Sequence, residues 1–174
     1  MADDGYGVDM FSELRTSVPD TPAELWRSYV EELAGTTERV GAETVREETA
    51  LDRETIDALV ERDVSTLAAG ESMDLVENES IAGASGDRAP LSLQDACEIA
   101  ALRAEQPDAE TILTEACEHL LLGMSTAVLD VETLATEVAL DLEPKEIQQK
   151  LERRAPMSFE EFVQLQFAIA NRTP

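Results

Sequence analysis

Apolar positions along this chain recur at helical spacing, and no segment alternates apolar and polar residues long enough to specify a strand. Thr21 reads as an N-cap, with Pro22 at the first helical position and Glu24 completing a capping box. Behind it Leu25, Trp26, Tyr29, Val30 and Leu33 share one helix face, and Gly35 is the expected stop. Two short helices follow at 42–49 and 53–61, the second capped by Asp52. Ser92 caps a helix at 93–103, and Pro107-Asp108 opens a long one over 108–125 that carries Ile112, Ala116, Leu120 and Met124 on one stripe. Helices at 131–139, 144–154 and 159–171 close the chain, the last capped by Ser158 with Glu161 at N3. A shorter turn or helix is expected at 8–14. The pattern breaks over 70–90, where Gly70, Gly83, Gly86 and Pro90 stand among Ser, Asn and Asp, which predicts a loop or insertion.

The two halves resemble each other. Glu43-Thr44-Val45-Arg46-Glu47-Glu48-Thr49-Ala50-Leu51-Asp52 aligns with Glu132-Thr133-Leu134-Ala135-Thr136-Glu137-Val138-Ala139-Leu140-Asp141. Each is followed by a charged helix, anchored by Ile56 and Leu59 in the first half and by Ile147 and Leu151 in the second. Further on, Leu91-Ser92-Leu93 matches Met157-Ser158-Phe159. The unit is thus helix, turn, helix, loop, capped helix, and two copies that cannot close a core alone are expected to pack together. The bland alternative is that two acidic amphipathic helix pairs look alike by composition.

Composition adds a constraint on the surface. Apolar residues are 43% but aromatics only 4%, so the core must be mainly Leu, Val, Ile and Ala. The chain carries 38 acids against 13 bases, a net charge of −25, and only Lys145 and Lys150 among the bases are lysine. The acids are spread along the chain, unlike a solvated acidic tail. This distribution resembles that of haloarchaeal proteins. In roughly molar salt the Debye length falls to about 3 Å, so a carboxylate-rich surface stays hydrated without strong self-repulsion. The start, Met1-Ala2-Asp3-Asp4-Gly5, lacks a basic and an apolar targeting region, and no run approaches the ~18 apolar residues of a membrane span. The run Leu120-Leu121-Leu122-Gly123-Met124 is expected to be a buried helix segment. These features predict a cytoplasmic protein away from membranes.

The repeated unit resembles the helix-turn-helix of Cro-type phage repressors, in which two short helices cross and one enters a DNA groove. Val45, Thr49, Ala50, Leu51, Ile56 and Leu59 fall at that spacing, although Arg46 and Ala50 stand where a small residue and a glycine are usual. Leu134, Ala135, Val138, Ala139 and Leu140 fit the first helix and turn better, but the gap from Leu140 to Ile147 is two residues longer. The chain also resembles an uncharacterised haloarchaeal family of small acidic proteins. That likeness rests on Leu121-Leu122-Gly123-Met124-Ser125-Thr126-Ala127-Val128-Leu129-Asp130 and on the stretch from Glu146-Ile147-Gln148 to Ala155-Pro156-Met157, and it implies no activity.

The two units differ in chemistry. The second helix of the first copy carries Asp52, Glu54, Asp57 and Glu61 against Arg53 and Arg62, which disfavours phosphate. In the second copy Lys145, Gln148, Gln149, Lys150, Arg153 and Arg154 crowd one helix, a set that can read base edges or hold phosphate. The bland reading is a solvated helix end whose arginines complement the helix dipole. Cys97, Cys117 and His119 lack metal-ligand spacing, so core thiols and an ordinary histidine are expected, with no metal and no cofactor. Trp26, Tyr29, Phe159, Phe162 and Phe167 are expected as core anchors. No nucleophile motif or phosphate loop is present; Gly83-Ala84-Ser85-Gly86 lacks the lysine of a P-loop.

The expectation is an all-α protein of about eight helices, with two helix-turn-helix-like units joined by the long 108–125 helix in one compact body. Residues 1–20 are expected to be a partly disordered N-terminal segment, 21–106 an N-terminal unit with the 70–90 insertion, and 107–174 the C-terminal unit. The function expected is non-enzymatic regulation, with nucleic acid contacted through the C-terminal unit. The alternative is a protein-interaction adaptor acting through the acidic first unit or the 70–90 loop. Nucleic acid, a protein partner and a second copy all remain open as partners; a membrane does not.

Overall fold

A computed structural model of the chain describes residues 21–62, 91–104, 106–138 and 142–172. The expected N-terminal segment 1–20, with its turn or helix at 8–14, and the expected loop at 70–90 lie outside the described residues. Within them the protein is all-α, with eight helices: α1 (Pro22–Val40), α2 (Ala42–Glu48), α3 (Arg53–Val60), α4 (Leu93–Ala100), α5 (Ala109–Ala127), α6 (Val131–Glu137), α7 (Pro144–Leu151) and α8 (Phe159–Arg172). No single described helix is long and apolar enough to cross a membrane.

The caps act as their sequences predict. Thr21 Oγ1 accepts from the Glu24 N–H (3.2 Å), Asp52 Oδ1 from Thr55 N–H (2.8 Å) and Asp108 Oδ1 from Thr111 N–H (2.8 Å). Gly35 does not end α1. One glycine costs a helix only about 1 kcal/mol, and beyond it Thr36 and Thr37 are buried with their hydroxyls donating to Glu32 O and Leu33 O. The helix stops instead at Gly41, whose φ of +97° suits glycine.

The long helix α5 is more than a connector. It has 19 residues, as α1 has, and each is followed by a 7-residue helix, an 8-residue helix and a Ser-capped helix. The repeating unit is therefore four helices long, and its first member was hidden because α1 and α5 share little sequence. The two capped helices meet at their starts. Leu93 N–H donates to Met157 O (2.9 Å) and Phe159 N–H donates to Leu91 O (2.8 Å), an antiparallel bridge of Ser92 with Ser158. Ser92 faces its own counterpart, and the two hydrogen bonds beside it are equivalent under exchange of the halves, as a two-fold arrangement requires. Both serines sit in reciprocal capping boxes, with Asp95 and with Glu161.

Each long helix packs on both capped helices, so neither half closes a core by itself. Helix α8 runs through the centre, with Phe159, Phe162, Val163, Leu165 and Ile169 all at 1% exposure or less. Burial on several sides marks an interior helix. Trp26 and Tyr29 of α1 meet Phe159 at ring centroids of 5.4 and 5.5 Å, the core role expected of them. Phe167 is only partly buried against that core. Ile112, Ala116, Leu120 and Met124 form the buried stripe of α5. Its neighbours Leu121 and Leu122 are 40% and 61% exposed, against the expectation that the whole apolar run is buried. Helical geometry turns successive residues through about 100°, so five consecutive apolar residues cannot share one face.

Candidate nucleic-acid interface and an adjoining basic cleft

Helix α7 starts with Pro144 at its first position and is pinned by Ile147 and Leu151, both 2% exposed or less. The 3.6-residue period then places Lys145 and Gln148 on the exposed side, with Gln149 half-buried. The helix ends in a Schellman motif: Arg153 N–H donates to Lys150 O (3.1 Å) and Arg154 N–H to Gln149 O (2.8 Å). Arg153 occupies the left-handed position with φ of +62°, usually glycine's, and its side chain and that of Arg154 are exposed.

The six residues singled out from sequence thus divide. Lys145, Gln148, Arg153 and Arg154 face outward, and Gln149 lies at the margin. Lys150 is committed inside the protein: its ammonium donates to Pro156 O and Glu161 Oε1, both at 2.9 Å, with the side chain only 16% exposed. Glu161 also accepts the Ser158 N–H, so Lys150 ties the end of α7 to the cap of α8. Arg154 makes an exposed contact with Glu152 at 3.2 Å.

In the first half, Val45, Leu51, Ile56 and Leu59 are buried at the anchor positions, as Leu134, Val138, Ile147 and Leu151 are in the second. Thr49 is half-buried and Ala50 is exposed, its N–H donating to Glu98 Oε1 at 3.2 Å. Ala139 and Leu140 lie outside the described residues. The outward face of α3 shows Arg53, Glu54 and Asp57. Arg62, at φ of +57°, is the positional counterpart of Arg153. Its guanidinium donates to Glu31 (2.5 Å), Glu38 (3.0 Å) and Val60 O (2.9 Å). Hydrogen bonds donated to Glu38 and Glu31 hold Arg62 above the usual arginine range, and the same contact with Arg62 lowers the Glu38 carboxyl.

A cleft of about 290 Å³ lies between the end of α7, the start of α4 and the middle of α5. Its walls include Gln94, Cys117, Lys150, Arg153 and Arg154. Cys97 and Cys117 are both buried and unbridged. Burial pushes the Cys117 thiol up to about 11, with Arg153 opposing, and burial together with Cys117 pushes Cys97 up further. Both are therefore protonated near neutral pH and poor nucleophiles. Among the described residues no three of His, Cys, Asp and Glu gather as metal ligands; His119 is half-buried on α5.

Sequence reasoning missed the cleft. Gln94, Cys117 and Arg153 lie far apart in the chain and meet only through packing. The one signal available was the alignment of Arg62 with Arg153 just after each second short helix.

Residues 74–172 match the family described as "Family of unknown function (DUF5791)", and the chain belongs to it. The matched region holds the cleft and all of the second half. No curated protein and no solved structure matches the chain.

Proposed function

We propose that this DUF5791 protein is a non-enzymatic regulatory binding protein of a high-salt, haloarchaeal-type cytoplasm. In this reading its C-terminal helix-turn-helix-like unit contacts nucleic acid. The observation that carries the reading is the outward face of α7 and its exit, where Lys145, Gln148, Arg153 and Arg154 are exposed together on an otherwise acidic chain. Amide and guanidinium groups on an exposed short helix suit base edges and phosphates. The first unit offers no equivalent: its outward helix face carries Glu54 and Asp57, and Arg62 is taken up by carboxylates. The high-salt setting is supported by the net charge of −25 with only two lysines.

The test is fluorescence anisotropy with a pool of genomic duplex fragments in about 2 M potassium chloride, where counterion release contributes little and specific contacts dominate. Saturable binding is expected, and it should be lost when Lys145, Gln148, Arg153 and Arg154 are replaced together by Ala. Absence of binding by the unaltered protein would sink this reading.

A second reading, a protein-interaction adaptor, is favoured by the exposed apolar side chains Leu121, Leu122 and Val128 at the end of α5, the last 89% exposed. Retention of a partner by the unaltered protein, lost with Leu122→Glu and kept with Lys145→Ala, would support it.

A further inference from the structure

In a chain where acids outnumber bases 38 to 13, several described arginines are taken up by carboxylates. Arg62 contacts two, Arg46 contacts Glu43 and Arg172 contacts Glu137. Arg153, like Arg39 and Arg53, stands outside this set. Its side chain makes no ion pair or hydrogen bond among the described residues, and it lines the cleft beside Arg154 and the committed Lys150. None of the eleven described residues lining that cleft is acidic. A smaller cleft of about 190 Å³ in the first half, between α2 and α3, shows the contrast: there Glu43 and Asp57 balance Arg46 and Arg53.

We infer that the cleft between α4, α5 and the end of α7 binds a small oxyanion, a free phosphate- or carboxylate-bearing molecule, through Arg153 and Arg154. Guanidinium groups present paired N–H donors that match the oxygens of both head groups. The Gln94 side-chain amide, contributed to the lining by α4, can add a donor. Leu93, Leu113 and Met157 supply an apolar floor for a short hydrocarbon body. The volume sits at the lower edge of the range for small-molecule pockets, about 300–1,000 Å³, so the ligand is compact. The left-handed backbone at Arg153 bears on this assignment. A residue with φ of +62° would ordinarily be glycine, and an arginine there accepts a backbone cost while finding no carboxylate in return.

This inference does not depend on nucleic-acid binding, although the two arginines serve both. The experiment is an NMR titration of the ¹⁵N-labelled full chain with potassium phosphate and, in parallel, potassium acetate, in molar potassium chloride at constant ionic strength. Saturable shifts are expected at the Arg153 and Arg154 side-chain N–H signals and at Gln94. Arg153→Gly suits the left-handed backbone and so should leave the fold intact; it is expected to weaken binding by at least about tenfold. Arg62→Gln, the counterpart change, should leave binding unaltered. Saturation by either anion supports the site and identifies its head group. Shifts that grow linearly with both anions, or saturable shifts that persist in Arg153→Gly, would overturn it. Lys145→Ala separates the two readings, because it should impair duplex binding and spare phosphate. Shifts seen with duplex DNA but with neither small anion would overturn this inference and leave the nucleic-acid reading standing.

Discussion

Arg62 and Arg153 hold the same place in the two halves of the molecule, two residues past the second short helix and in the same left-handed backbone conformation. In the first half, the long helix α1 presents Glu31 and Glu38 to that position, and Arg62 becomes a clamp between α3 and α1. In the second half no described carboxylate pairs with Arg153, which is left at the mouth of a cleft with Cys117 of α5 nearby. The same backbone scaffold thus yields a structural arginine and an available one. Neighbouring charges on the packed long helix, rather than the residue or its conformation, decide between them. The difference also separates the two outward faces: Glu54 and Asp57 outnumber Arg53 on α3, whereas Lys145, Arg153 and Arg154 are exposed on and after α7.

The sharpest way to break the two-fold comparison is at the bridge between the halves. Phe159 and Leu93 are counterparts, yet Phe159 sits on the central helix against Trp26 and Tyr29. Phe159→Ala is expected to cost about 3–5 kcal/mol and Leu93→Ala about 2–5, with Phe159 the larger, measured by denaturant unfolding in high potassium chloride. Equal losses would argue that α8 is no more central than α4.

The next effect concerns the two long helices. A Cβ on Gly123 of α5 would lie 2.7 Å from Ile169 Cγ2, whereas a Cβ on Gly35 of α1 meets nothing within 4 Å. Gly123→Ala should therefore destabilise by about 1–3 kcal/mol, and Gly35→Ala should stabilise by up to about 1 kcal/mol. Opposite signs in a thermal melt would sharpen the comparison; the same sign would undo it.

Smaller again is the contrast between the arginines. Arg62→Gln should lower the melting temperature, and by less as salt is raised, because its partners are solvent-exposed. Arg153→Gln should leave the melting temperature unchanged.

The smallest effect is one of pH. Asp108 and Asp130 are held below the usual carboxylate range chiefly by hydrogen bonds from the Thr111 and Thr133 backbones, and Glu137 by Arg172. A carboxyl whose folded pKa is depressed stabilises the fold above its unfolded value, about 4, and this support is lost as pH falls through the folded value. All three belong to the second half, and the first half has one such group described, Glu38. Amide exchange at the starts of α5 and α6 should therefore quicken below about pH 4, whereas the start of α1, capped by the non-titrating Thr21, should be less affected.

Much of the fold could be read directly from the residues. Caps such as Asp52, Ser92 and Ser158 are local, since a side chain three residues from an N–H needs nothing else to find it, and their helices begin where expected. The match of Ser92 with Ser158 was visible in the sequence, although the bridge that joins them was not. Helix ends fared less well. Gly35 was the natural stop for α1, and burial of Thr36 and Thr37 carried the helix past it. The six cationic and amide residues on and after α7 stood as one set in the sequence, and the structure divides them, with Lys145 and Gln148 exposed. The fate of Lys150 could not be read, because Glu161 and Pro156 reach it from the next element.

By itself the sequence determined what is short-range: helical periodicity, the capping boxes, the dominance of aliphatic side chains in the core and an acidic surface. These follow from interactions within a few residues or from composition alone. Only the tertiary structure decided that α5 is the counterpart of α1, that Lys150 is spent on an internal tie, and that Arg153 faces a cleft with no acidic residue among its described lining. Each of these depends on which charge or side chain a distant helix brings alongside, and electrostatic and packing partners are set by distance in space, not by separation along the chain.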